Sequence, residues 1–298
     1  MLRDRVIRVI RAEHLGMCFG VRDAIDLALQ RAEAAPLTIL GSLVHNDAVL
    51  AALRSRGITT ADDPARVTTR TAMVTAHGAS ERMLASTRAL GLEVVEATCP
   101  LVRVAHRAIK ALIRDGYHPV IIGQRQHVEV RGLTDDLDAF DVVLDERDVL
   151  ALDPHPRIGI AAQTTQPIDR VRQIAALIRA QFPESDVRFI DTVCRPTKDR
   201  QHAAIDLARR CDVVIVVGGA NSNNTRELVT TCSRHCAQVH QVQSEEDLRP
   251  QWFSSAETVG ITAGTSTPDE IIDGVEGRIQ QLAPQHEGTA SLAARSGS

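Results

Sequence analysis

Three cysteines stand where an apolar, strand-like run gives way to a helical pattern: Cys18 in "GMCFGV", Cys99 in "EATCPLV" and Cys194 in "DTVC". The start of a helix exposes N–H groups and a positive dipole end, which favour a thiolate. Three thiolates meeting at one point make a soft-metal site. No C-x-x-C pair occurs, so the compact spacing of structural zinc sites is absent. Three ligands on a [4Fe–4S] cluster would leave one iron open to bind and activate a substrate oxygen. Taken singly, each thiol also reads as a small buried hydrophobe. Cys211 opens the apolar run "CDVVIVV" and reads as core. Cys232 and Cys236, near His235 and His240, could form half a metal site on a helix face. They lie away from the strand ends and read as structural.

Thiols this far apart in the chain converge only if the whole fold brings them together. The chain has 298 residues, enough for two or three compact units with real cores. Its 44% hydrophobic and 24% charged content is ordinary for a globular protein. A net charge of -4 with no basic block argues against nucleic acid as partner. The longest apolar run, Val213 to Val217, is strand-sized, and the N-terminus lacks a signal peptide's apolar centre. The expectation is a cytoplasmic protein without a membrane span, whose cysteines are free.

Short β-branched runs alternate with helical patterns, the mark of parallel α/β units. Internal similarity appears within them. "LTILG", "PVIIG" and "VVIVVG" end at Gly41, Gly123 and Gly218, and His45, His127 and Ser222 stand four residues further on. A second set of strands matches at its alanines, placing His77 after Ala76, Gln163 after Ala162 and Thr265 after Ala263. The third set delivers Cys99 and Cys194, and the N-terminal "RVIRVI" supplies Cys18 for the unit that runs out after Ala263. The expected fold class is therefore α/β, in three pseudo-symmetric units with parallel sheets. The units span 20–99, 100–192, and 193–283 together with 1–19, and a disordered tail covers 284–298. Ligands bind beyond the carboxyl ends of parallel strands, so a pseudo-threefold arrangement aims the three cysteines at one centre.

The loops at those strand ends are rich in His, Ser, Thr, Asn and Gln and poor in carboxylates, which suits a phosphate or diphosphate. No P-loop and no GxGxxG fingerprint is present, which disfavours a nucleotide. Glu129 is the exception. On its own it reads as a solvated loop carboxylate; beside an iron site it could supply a proton, with Thr164 or Thr165 as relay.

Taken in order, "GMCFGV", "LVHN", "TAHGAS", "EATCPLV", "HVEVRG", "QTTQP", "DTVC", "NSNN" and "AGTSTPDEII" resemble the 4-hydroxy-3-methylbut-2-enyl diphosphate reductase (LytB) family, from about residue 5 to 282. The resemblance implies a trefoil of three α/β units around an oxygen-sensitive iron–sulfur cluster. It implies reductive dehydroxylation of an allylic alcohol diphosphate to isopentenyl and dimethylallyl diphosphates, the last step of the non-mevalonate isoprenoid pathway. It makes Cys18, Cys99 and Cys194 the ligands of a [4Fe–4S] cluster. It gives His45, His77, Ser222, Asn224 and Ser266 to the diphosphate, with His127 beside it and Asn223 in the same loop. Glu129 and Thr164 become the proton-delivery pair, next to Gln163 and Thr165, and a ferredoxin or flavodoxin the electron donor. Three departures stand out. Val128 replaces the family's usual proline, Asn223 a serine, and Glu96 an aspartate. Such departures are what a divergent second copy would carry. A non-redox iron–sulfur hydro-lyase and a cluster-bearing sensor without catalysis are the rival readings.

Overall fold

The computed structural model describes residues 7–282. Among them the strands form three four-stranded parallel sheets. The first contains β2 (Leu37–Leu40), β3 (Thr59–Ala61), β4 (Thr71–Val74) and β5 (Glu93–Glu96), in the order β3-β2-β4-β5. The second contains β6 (His118–Ile122), β7 (Asp141–Val143), β8 (Arg157–Ala162) and β9 (Asp186–Phe189), in the order β7-β6-β8-β9. The third joins β10 (Val213–Val217), β11 (Gln238–Val242) and β12 (Thr258–Ala263) to the N-terminal β1 (Arg8–Arg11), in the order β1-β12-β10-β11. Read from the other edge, its order repeats that of the other two. The first strand completes the third sheet, as the sequence pattern requires.

The inner strands are apolar because helices cover both faces of each sheet, which a parallel sheet demands. All five residues of β10 are buried, as are all four of β2 and of β4. The covering helices include α1 (Phe19–Ala34), α2 (Asp47–Ser55), α3 (Glu81–Ala89), α4 (Pro100–Arg114), α5 (Val128–Thr134) and α6 (Glu146–Leu150). They continue with α7 (Ile168–Gln181), α8 (Arg195–Ala208), α9 (Asn223–Ser233) and α10 (Asp269–Leu282). None is long and apolar enough to cross a membrane. The edge strands β3 and β11 carry mostly exposed or half-buried residues, and no apolar run announces them; β7 is only three residues long, with Val142 and Val143 buried.

Strand register gives the repeat its true alignment. Leu40 pairs Val74, Ile122 pairs Ala162, and Val217 pairs Ala263. Val74, not Ala76, is therefore the equivalent of Ala162 and Ala263, and the alanine match of the sequence reading is two residues out in the first unit. The backbone agrees. Gly41, Gly123 and Gly218 each donate N–H to the last residue of their edge strand, Ala61, Val143 and Val242. With the register corrected, His77, Thr165 and Ser266 occupy one station, and His45, His127 and Ser222 another. The expected tail, 284–298, lies outside the described residues.

Packing between sheet and helix is close at Gly260 in β12. A Cβ there would lie 2.8 Å from Leu207 Cγ and 2.9 Å from Cys211 Sγ. Gly260→Ala should destabilise the protein by about 1–3 kcal/mol, the usual cost of overpacking a filled core. The check is the urea midpoint at unchanged slope.

Candidate functional site

Cys18, Cys99 and Cys194 are the N-cap residues of α1, α4 and α8. Each is placed by the same bond. The N–H of Cys18 donates to Thr265 O at 3.1 Å, that of Cys99 to Ala76 O at 3.0 Å, and that of Cys194 to Thr164 O at 3.0 Å. The three acceptors are equivalent, each lying two residues beyond its central strand. No sulfur acts as a side-chain cap for its helix. All three therefore line one cavity, with Phe19, Glu129 and Thr164.

Cys99 and Cys194 are not the low-pKa thiolates that helix starts suggest. Burial pushes Cys99 up, and pushes Cys194 up to about 11. The opposing backbone N–H contacts, from Leu101 and Val102 at Cys99 and from Thr197 at Cys194, are outweighed. Without metal, Cys99 and Cys194 stay protonated, and a bound metal has to displace their protons.

A second cavity adjoins the first, sharing Val21, His77, Thr165 and Thr265 in its lining. It adds His45, His127, Ser222, Asn223, Asn224 and Ser266. The histidines form a cup, with ring centroids 5.5 to 6.2 Å apart. Burial and mutual repulsion lower His77 to about 3, and burial lowers His127 to about 4; His45 is lowered as well. All three are neutral near pH 7. Their ring nitrogens lie close enough to hold a metal, within 4.8 Å of one another. The tautomer of His127 argues for an anion instead. Its Nδ1 accepts the N–H of Glu129 at 3.1 Å, which leaves the proton on Nε2. That atom can donate to an anion but has no lone pair for a metal.

Unspent donors complete this cavity. Asn223 Oδ1 accepts from Gln124 Nε2 at 2.6 Å, and Asn224 Oδ1 accepts from the Thr265 N–H at 3.0 Å. The Nδ2 atoms of both asparagines and Ser266 Oγ are buried without a partner. Buried donors are rarely left empty, so this set fits an anionic ligand. The asparagine at position 223 thus keeps the loop's donor capacity where a serine is usual.

Glu129 departs most from the sequence reading. It is 1% exposed, in the first turn of α5 rather than in a solvated loop. Thr164 donates its N–H to Oε1 at 2.6 Å and its hydroxyl to Oε2 at 3.0 Å. Burial nevertheless raises the carboxyl to about 7. The valine at 128 occupies the first helical position, where proline is favoured, and the His127 cap holds the turn without one. Glu96 faces away from this chemistry, pairing with Arg88 at 2.8 Å and Arg103 at 3.7 Å.

Gln163 lines neither cavity. Its Oε1 accepts from Gln124 N and Gln166 Nε2, and its Nε2 donates to Thr165 Oγ1, all at 3.1 Å. It backs Thr165 rather than facing a ligand. Cys211, Cys232 and Cys236 lie elsewhere, packed together in the core between α8 and α9. Burial pushes Cys211 up to about 11 and Cys232 up to about 12, consistent with inert core thiols. The sequence reading places Thr265 at a strand end without giving it a site role, and passes over Thr197, whose hydroxyl lies 3.1 Å from Cys194 Sγ.

Residues 9–280 match the family model described as LytB protein. The chain is 35% identical over 278 residues to the 4-hydroxy-3-methylbut-2-enyl diphosphate reductase of Pelobacter propionicus, covering 93% of this chain and 99% of the relative. It is 35% identical over 284 residues to the Aquifex aeolicus protein of the same name, covering 93% and 97%. In fold it resembles the E-1-hydroxy-2-methyl-but-2-enyl-4-diphosphate reductase of Plasmodium falciparum, with a TM-score of 0.86 at 24% identity, over 95% of this chain and 89% of that one. A solved (E)-4-hydroxy-3-methyl-but-2-enyl diphosphate reductase, described as the terminal enzyme of the non-mevalonate pathway, aligns with a TM-score of 0.65 at 32% identity, over 92% and 99%.

In the metal-free protein the Glu129 carboxyl should titrate near pH 7, seen as a carboxylic C=O infrared band that fades as pH rises and is missing from Glu129→Gln. Because the folded pKa is raised, the carboxyl's contribution to stability is full below about pH 4.5 and is lost as pH climbs through about 7. The wild type should therefore lose stability over that window relative to Glu129→Gln.

Proposed function

The chain belongs to the LytB protein family, and from that premise we propose that it reduces 4-hydroxy-3-methylbut-2-enyl diphosphate to isopentenyl and dimethylallyl diphosphates. One observation carries the reading: a cavity of three cysteines and a buried carboxyl opens beside a cavity of unspent hydrogen-bond donors. The first suits redox chemistry and the second an anion, and they share a wall.

The cysteine cavity fits an iron–sulfur cluster. Its three cysteines offer soft sulfur donors, none is used as a cap, and the three come from separate helix starts. No side chain stands between Gly20 and Cys99, since a Cβ on Gly20 would lie 2.6 Å from Cys99 Sγ. Cys18, Cys99 and Cys194 would hold a [4Fe–4S] cluster, leaving one iron without a protein ligand. When bound, such a cluster supplies electrons one at a time and a Lewis acid at the open iron. The donor of those electrons is a ferredoxin or flavodoxin, and the setting is the cytoplasm.

The chain's own residues do the rest. The histidine cup, Asn223, Asn224, Ser222 and Ser266 hold the diphosphate. Its charge favours the protonated form of His45 and His77, while His127, whose Nδ1 is spent on the Glu129 N–H, donates from Nε2. Anchored there, the five-carbon chain reaches past His77 and Thr165 into the cysteine cavity, so binding energy is used for orientation. Glu129 carries a proton near neutral pH and releases it to the departing hydroxyl oxygen, while Thr164 fixes both carboxyl oxygens. The C–O bond breaks, water leaves and a C–H bond forms, with two electrons and two protons consumed per substrate (about the minimum for this reduction).

The test is turnover of protein assembled and assayed without air, with and without a reduced low-potential carrier. Product should form only with the carrier, and turnover without it would establish a hydro-lyase instead. Glu129→Gln should keep its brown absorbance and its affinity for pyrophosphate while losing about 10²–10⁴-fold in rate, the usual worth of a positioned acid. Cys99→Ser should lose the absorbance, and an unchanged spectrum would contradict its place as a ligand.

A further inference from the structure

Arg200, in the second turn of α8, is 7% exposed. No carboxylate among the described residues pairs with it. Asp199 faces Arg195 at 2.7 Å, and Asp191 holds Lys198 at 2.8 Å. The guanidinium instead donates to carbonyls: Nε and Nη2 to Gly16 O at 3.1 and 2.7 Å, and Nη1 to Pro196 O at 3.1 Å. Carbonyls satisfy N–H groups without neutralising the charge, and a buried charge without a counter-charge is costly. An arginine cannot escape that cost by losing its proton.

Both carbonyls point to where the missing charge belongs. Gly16 lies two residues before Cys18, and Pro196 two residues after Cys194. Gly16 has φ +73, and a Cβ on it would lie 2.9 Å from Ile272 Cδ1, so the turn that aims its carbonyl at Arg200 needs glycine. Burial pulls Arg200 below the ordinary arginine range; Cys18 and Cys194 are the largest influences acting the other way, with Asp199, turned toward Arg195, a smaller one.

We propose that Arg200 is the fixed counter-charge of the cysteine-held cluster, raising its reduction potential and joining the Cys18 loop to the Cys194 helix. The inference rests on the cluster reading of the cysteine cavity. Three thiolates make the cluster net negative, and each electron accepted from an external one-electron carrier makes it more so. A buried cation stabilises the reduced state more than the oxidised one, because the local dielectric is low. Arg200 is a positioning and tuning residue that does not touch the substrate.

The experiment is an EPR-monitored redox titration of protein assembled without air, comparing wild type, Arg200→Gln and Arg200→Lys after iron analysis. At a fixed potential, Arg200→Gln should show at least a tenfold lower ratio of reduced to oxidised cluster, about 59 mV for one electron. Arg200→Lys keeps the charge and should stay within about threefold of wild type. An iron-replete Arg200→Gln protein with the wild-type midpoint overturns the proposal and leaves the cluster reading intact. Wild-type protein that assembles no cluster overturns both. Should Arg200→Gln fail to fold, Arg200→Lys carries the test alone, because alkaline pH neutralises an ammonium but not a guanidinium. Its midpoint should then fall with rising pH more steeply than that of wild type, and parallel profiles would overturn the proposal.

Discussion

The centre of this molecule depends on one repeated backbone hydrogen bond. In each unit a cysteine N–H meets the carbonyl two residues beyond a central strand, at Thr265, Ala76 and Thr164. The bond extends the parallel ladder past the strand end and turns the chain into a helix at the cysteine. Three sheets doing this around one axis bring together sulfurs that the sequence keeps far apart. Nothing local could have placed them, since they follow β1, β5 and β9, strands of three different sheets.

The same repetition distributes polar chemistry. Asn224 and Glu129 stand at equivalent positions, each two residues beyond a station shared by Ser222 and His127, and each accepts a backbone N–H from the neighbouring loop, Thr265 or Thr164. In one unit the acceptor is an amide, whose Nδ2 is left over for an anion. In the other it is a carboxyl that burial holds near pKa 7, ready to carry a proton. A single scaffold position is thus specialised by one side-chain choice, and the two cavities differ because of it. The arginine behind the cysteines bonds to the carbonyls of Gly16 and Pro196 rather than to a carboxylate.

Much of this was legible in the sequence. The apolar strand runs, the glycines at their ends and the three cysteines predict three parallel units, with the N-terminal strand completing the third. The edge strands were not legible because half-exposed residues such as those of β11 have no distinctive pattern. Matching the second strand set by its alanines went two residues astray in the first unit, since Ala76 imitates a strand end that hydrogen bonding places at Val74. Sequence also cannot report burial: Glu129 reads as solvated yet is enclosed, and Gln163 reads as ligand-facing yet is spent on neighbouring loops. The lowered histidines and raised thiols follow from that enclosure, which only packing reveals.

Pairing of Arg8 with Thr258 and of Arg11 with Ile261 joins nearly opposite ends of the chain in one ladder. Contacts of such long sequence separation form late, because the intervening loop must close first. During synthesis the first two lobes can fold while β1 waits, its hydrogen-bonding edge still bare. Cys18 reaches its place only when β12 has left the ribosome. Convergence of the three sulfurs is thereby deferred until β12 has been made, and a nascent chain that stops short of it leaves Cys18 without its anchoring carbonyl.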